Sequence, residues 1–132
     1  MGKPICPTKG IALAFPDVCL TPAPSGSVPI PYPNIAQLKD AQDVADDLLL
    51  GPDKLKALLK GSTVQSSSGD EAGSTGGVKS GGTKGPCEVT GGSGSVLYGG
   101  REIARFGDPT TQNDKNANGQ LLGAFPSVLV GD

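Results

Sequence analysis

Short apolar runs closed by glycine or proline set the rhythm of this chain. Val28-Pro29-Ile30, Val96-Leu97-Tyr98 and Val128-Leu129-Val130 are three of them. Runs of that length between turn residues predict short strands in a turn-rich, mainly β domain. Residues 35–47 follow another period. There Ile35, Leu38, Ala41, Val44 and Ala45 recur near helical spacing with acids on the opposite face, which predicts a short helix. Asp53 after Pro52 can open a second short helix through Leu55, Leu58 and Leu59, ending at Gly61.

Leu48-Leu49-Leu50 lies between the two helices, and its own periodicity decides nothing. An internal repeat does. Asp47-Leu48-Leu49-Leu50-Gly51 has the same form as Ser95-Val96-Leu97-Tyr98-Gly99 and Ser127-Val128-Leu129-Val130-Gly131: a polar residue, three apolar ones, then glycine. Each copy reads as a strand and a turn. Three copies in one chain suggest pseudo-threefold symmetry. At this length, three unrelated short strands would leave the same trace.

Eight prolines fall within residues 1–34. Proline fixes φ and removes a donor, so this stretch is expected to be neither helix nor central strand. Val28 to Pro33 reads as a polyproline-like or edge segment with Val28, Ile30 and Tyr32 on one face. Residues 62–95 are rich in Gly, Ser and Thr, as a flexible linker would be. Gly69-Asp70-Glu71-Ala72-Gly73 and Gly76-Gly77-Val78-Lys79-Ser80-Gly81 are not simple repeats, however, and read better as tight turns that need φ > 0. Val96 to Pro109 predicts a hairpin across Gly99-Gly100, with Ile103 and Arg105 on one face of its second strand and a Gly-Asp-Pro corner at its end.

Composition narrows the function. The 132 residues suit a single domain, 1–132, and five aromatic residues make any core thin. Stability is then expected to draw on a partner or a metal. The net charge of −2 is scattered, without the basic stripe of a nucleic-acid binder. No run is long enough for a membrane span, and the N-terminus lacks the apolar core of a signal peptide. The chain has no histidine, so the imidazole base of Ser or Cys catalysis is missing. Asp46/Asp47 and Asp70/Glu71 read as surface charge, and Gly81-Gly82-Thr83-Lys84-Gly85 lacks the strand-to-helix setting of a phosphate loop. No enzymatic activity and no catalytic residue are expected. Cys6, Cys19 and Cys87 are odd in number and far apart, which argues against a disulfide framework and fits synthesis in a reducing cytoplasm. They read as small buried hydrophobes, or as three thiolates meeting around zinc or iron.

Glu102-Ile103-Ala104-Arg105-Phe106-Gly107-Asp108 resembles the signature of PAAR-repeat proteins. Phe15-Pro16-Asp17-Val18-Cys19, Pro29-Ile30-Pro31-Tyr32-Pro33-Asn34, Ser68-Gly69-Asp70-Glu71-Ala72-Gly73 and Gly107-Asp108-Pro109-Thr110-Thr111-Gln112-Asn113 resemble, in order, the blocks of a PAAR-like subfamily. The motif positions are Pro29, Tyr32, Pro33, Gly69, Asp70, Arg105, Gly107 and Asp108. The resemblance implies a small conical fold of short β-hairpins with pseudo-threefold symmetry, seated on a trimeric spike of the valine-glycine repeat type. It implies the tip of a type VI or related contractile injection system, with effector proteins as further partners and the target membrane met only in passing. Such a tip would be assembled in the cytoplasm and injected without a signal peptide. Leu48, Leu49, Leu50, Val96, Leu97, Tyr98, Val128, Leu129 and Val130 become the candidate spike-binding strands. Relatives hold zinc with histidines and a cysteine; here Cys6, Cys19 and Cys87 would have to serve. A small cysteine-based metal-binding module and the N-terminal delivery domain of a toxin are the alternatives. The last apolar run stops just short of Asp132, which favours a free-standing tip.

Overall fold

A computed structural model describes residues 2–132, and its regular structure is almost wholly β. In chain order the strands are β1 (Lys3–Ile5), β2 (Ile11–Ala23), β3 (Gly26–Gln37), β4 (Ala45–Leu50), β5 (Leu55–Ala57), β6 (Thr63–Val64) and β7 (Gly76–Gly77). There follow β8 (Cys87–Val89), β9 (Leu97–Tyr98), β10 (Arg101–Glu102), β11 (Pro109–Gln112), β12 (Ala117–Leu121) and β13 (Phe125–Val130). An antiparallel sheet runs β3-β2-β12-β11-β8-β6, with β7 added beside the distal half of β2. The other six strands form three separate two-stranded ribbons: β4 with β5, β9 with β10, and β1 with β13. Each ribbon contains one of the three sequence repeats.

The ribbons are joined by a closed ring of main-chain bonds. The amide of Cys6 donates to the carbonyl of Ala104 (3.1 Å), that of Ala104 to Leu58 (2.9 Å), and that of Leu58 to Cys6 (2.9 Å). A second set surrounds the first: Thr8 to Lys56, Lys60 to Glu102 and Phe106 to Pro4, each at 2.8 Å. Exchanging Cys6, Leu58 and Ala104 cyclically carries each set onto itself. This is pseudo-threefold symmetry expressed in hydrogen bonds. Cys6, Leu58 and Ala104 are fully buried in one apolar cluster, while Ile5, Ala57 and Ile103, one residue earlier in each arm, belong to a second.

Neither expected helix exists. Residues 35–37 complete β3, Leu38–Asp40 form one 3₁₀ turn, and β4 begins at Ala45. Along the end of β3 the inward positions are Asn34, Ala36 and Leu38, a period of two in which a polar residue sits inside and hides the alternation. Ile35 also exchanges both backbone bonds with Ser68, which a helix would forbid. In the second stretch, the amides of Leu58 and Lys60 serve the threefold bonds instead of a helical ladder.

The proline-rich segment is a long hairpin. Its second strand, β3, is an edge, as expected. Pro29 and Pro31 pair with Leu20 and Val18, whose carbonyls are used on the opposite side by Thr75 and Val78, so these prolines take positions where no ladder donor is needed. The first half of β2 corrects the expectation. Ile11 to Ala14 lie in the middle of the sheet, between β3 and β12, and Pro16 is tolerated just beyond, where a bulge shifts the register between Ala14 and Asp17. The 62–95 segment is not a linker. Its turns carry Ser67, Asp70, Gly73 and Gly77 into the interior.

Candidate functional site

Two places on this fold concentrate unusual chemistry. The first is the outer face of the three arms. Residues 4, 56 and 102 are equivalent in the ring, and their ribbon partners are Leu129, Leu49 and Leu97. All three leucines are exposed, at 61, 49 and 53% of their surface. The next residues, Val130, Leu50 and Tyr98, turn inward against the second apolar cluster. Each arm therefore presents one leucine to solvent at the same height about the axis, which is not how scattered surface apolars fall. Of the other candidate docking residues, Leu48 and Val128 are half-buried and Val96 is exposed. The arms are not chemically identical. Only the β4–β5 arm carries the acids Asp46 and Asp47, and Tyr98 of the neighbouring arm donates to Asp47 (3.2 Å).

Arg105 braces this region from inside. It is nearly buried, and its Nε donates to Asp108 Oδ2 (3.0 Å), while Asp108 also accepts the Arg105 backbone amide (2.8 Å). Nη1 reaches Asp132 (2.9 Å) at the end of the β1–β13 arm and holds that carboxyl below its ordinary range. Gly107 follows at φ +88, the left-handed conformation of the corner. The hairpin before it turns through Gly99 and Gly100, both at positive φ.

The second place is a buried polar cluster inside the large sheet. Asp17 and Cys19 project from β2, Asn34 from β3, Asp70 from the loop between β6 and β7, and Asn113 and Asn116 from the turn between β11 and β12. Donor atoms of Asp17, Cys19 and Asp70 lie within 4.8 Å of one another. Asn113 (3.3 Å) and Asn116 donate to Asp17 Oδ1, and Asn34 donates to Asp17 Oδ2 (3.3 Å). The orientation of each amide is set by what its oxygen accepts: Gln112 Nε2 for Asn34, the Gly85 amide for Asn113, and the Lys79 and Ser80 amides for Asn116. Asp70 accepts the Lys84 amide at 3.0 Å. Its carboxyl is pushed up to about 6, chiefly by burial and then by Asp17. Close packing requires glycine here. A Cβ on Gly73 would collide with Cys19 and the Tyr32 ring, and Gly69, at φ +115, lies against the Pro33 carbonyl.

The four sequence blocks that carried the family resemblance meet at this cluster, through Asp17 and Cys19, Asn34, Asp70, and Asn113. The sequence singled out Asp70 and Cys19 as site residues, whereas Asp17, Asn34 and Asn113 stood only as members of the blocks and Asn116 in none of them. The recurring Asp and Asn within those blocks was the available signal.

The cysteines do not assemble as a metal site. Cys6 and Cys87 lie in the first apolar cluster, whereas Cys19 faces the two acids, and the three thiols form no common ligand group among the described residues. Burial pushes each thiol up to about 12. The Asp17–Cys19–Asp70 set fits a metal poorly as well, because three amides aim N–H groups at the acids where a cation would want oxygens.

Three ribbons cycled about a hydrogen-bonded ring define a β protein built to present one chain with threefold likeness. The sequence matches the profile of the Toxin PAAR-like domain over residues 10–119, and the chain belongs to that family, a PAAR-like protein of secretion and toxin-delivery systems. The matched span holds the whole polar cluster and two of the arms; β1 and β13 lie outside it. No curated protein and no solved structure matches the chain.

Proposed function

We propose that one copy of this chain caps the blunt end of a trimeric spike in a type VI or related contractile injection system. The observation that carries the reading is the register: Leu49, Leu97 and Leu129 are equivalent in the threefold bond pattern and are all exposed. A partner with three identical subunits can then bury one leucine at each of three equal sites. Short ribbon strands can at the same time extend the sheets of that partner by main-chain bonds. Covering the ribbon edges also removes a route to self-association.

The role is mechanical, without catalysis. The chain has no histidine, its thiols are buried and held protonated, and Arg105 is engaged with Asp108 and Asp132. Assembly takes place in the cytoplasm, and export follows with the spike, where effectors attached to the tip share the passage. The test is to mix the protein with a purified trimeric spike of the valine-glycine repeat type. Native mass spectrometry should find one copy per trimer, with a raised unfolding temperature. Absence of a complex, or three copies per trimer, would end this reading.

A further inference from the structure

Asp17 and Asp70 are fully buried, face each other, and make no salt bridge among the described residues. We propose that they form a proton-operated latch: one proton shared by the pair in mildly acidic solution fastens the 70–85 loop to the β2–β3 hairpin, and its loss at higher pH loosens that attachment.

The two carboxyls are unequally supported. Asp17 accepts from three side-chain amides, one on β3 and two in the β11–β12 turn. Asp70 has one close donor, the Lys84 amide, and only long contacts from Asn34 (3.4 Å) and the Cys19 thiol (4.0 Å). Asp70 is therefore the member that takes the proton from solvent, and its new O–H can donate to Asp17. Two ionised carboxylates lack any such bond and repel instead. No other group nearby neutralises them. On β2 the titratable neighbour is Cys19, itself held protonated. On β3 it is Tyr32, whose hydroxyl is bonded to Thr21 (2.7 Å). The charged residues of the loop and the β11–β12 turn, Glu71, Lys79, Lys84, Asp114 and Lys115, are exposed, and none pairs with either acid.

The loop that Asp70 opens is a flap on the hairpin. Past Asp70 it packs Gly73 against Cys19, pairs β7 with β2, and bonds the Val78 amide to the Val18 carbonyl (3.0 Å). A change in charge at its root is thus felt along its length. The sign follows from linkage. Burial and Asp17 raise Asp70 from 3.8 to about 6 in the folded state, so the folded protein holds the extra proton between those values. The latch contribution is complete below about pH 4 and is lost as pH rises through about 6.

The experiment compares the full-length protein with Asp70→Asn and, as a control on an exposed acid, Asp114→Asn. Hydrogen exchange, corrected for intrinsic rates, should show the amides of 76–84 more protected at pH 5 than at pH 7, by roughly tenfold, because a one-proton equilibrium moves by at most that factor per pH unit and nearly all of the change falls between pH 5 and about 6. Asp70→Asn places a permanent N–H donor opposite Asp17, so its protection should be high at both pH values; Asp114→Asn should behave as wild type. Carboxyl carbon NMR on the unmodified protein should find one buried group titrating near pH 6, and together with the wild-type exchange comparison this keeps the test complete even if Asp70→Asn does not fold. Protection independent of pH, or no carboxyl titrating above about pH 5, overturns the latch. So does a pH response that disappears with chelator and returns with zinc or calcium, because the pair would then be a cation site.

Discussion

The amide of Cys6 donates to the carbonyl of Ala104, and this bond ties the first arm of the molecule to the third. It has two counterparts, through Leu58, and the three together act as a hub. The side chains at the hub are small or aliphatic, fully buried, and drawn from three distant parts of the sequence. A change there should register in every arm at once.

Leu58→Ala removes the largest of the three hub side chains. Equilibrium denaturation should show a loss of about 2–5 kcal/mol, the usual range for a fully buried leucine. A loss below about 1 kcal/mol would mean that the hub is loosely packed.

The exposed leucines should behave in the opposite way. Replacing Leu49, Leu97 or Leu129 by serine should leave folding intact, since each is about half exposed or more. Each should weaken spike binding by a similar step of about 1–2 kcal/mol, roughly half of what burying a fully exposed leucine contributes, since each is already about half buried. Calorimetry with the spike can compare the three. One dominant leucine beside two silent ones would contradict threefold seating.

Arg105 and Asp132 separate inner from outer electrostatics. Arg105→Ala leaves Asp108 buried without its partner and should cost about 3–5 kcal/mol by denaturation. Asp132→Ala removes an exposed, solvent-screened partner and should leave the unfolding midpoint almost unchanged. Equal effects would show that the chain end, and not Asp108, anchors the arginine.

The thiols give a test at alkaline pH. Burial holds Cys6, Cys19 and Cys87 at about 12, against 9 for a free thiol, so the unfolded chain releases thiol protons first. Their contribution to stability is therefore complete below pH 9 and should fall away between about 9 and 12. At pH 8, a thiol reagent should find none of the three in the folded protein and all three after denaturation. Rapid labelling of native protein would show that a thiol is open to solvent.

Much of the fold was legible in residues 47–51, 95–99 and 127–131. These repeats are one structural unit used three times, each with a polar residue before three apolar ones and a glycine after. The hairpin at Gly99-Gly100 was legible because its turn requires positive φ. The helix expected at 35–47 failed for a physical reason: Asn34 occupies an inward position, and a polar residue inside a strand erases the alternation that would reveal it. The pairing of β1 with β13 left no local trace, because nothing near Lys3 or Val130 names a partner at the other end of the sequence. The buried cluster was half legible. Its residues fell inside the recognised blocks, but only the folded chain shows that Asn34, Asn113 and Asn116 converge on Asp17.

The β1–β13 arm also bears on biogenesis. The β4–β5 and β9–β10 ribbons are local, and each can close soon after its turn leaves the ribosome. β1 is synthesised first among the strands, yet its partner β13 is the last to appear. While the segment between them is made, one edge of β1 stays bare and open to the wrong neighbour. A message cut before Phe125 would deliver a chain with a sticky edge in place of a two-armed miniature, and such products should be found among aggregates and chaperone substrates.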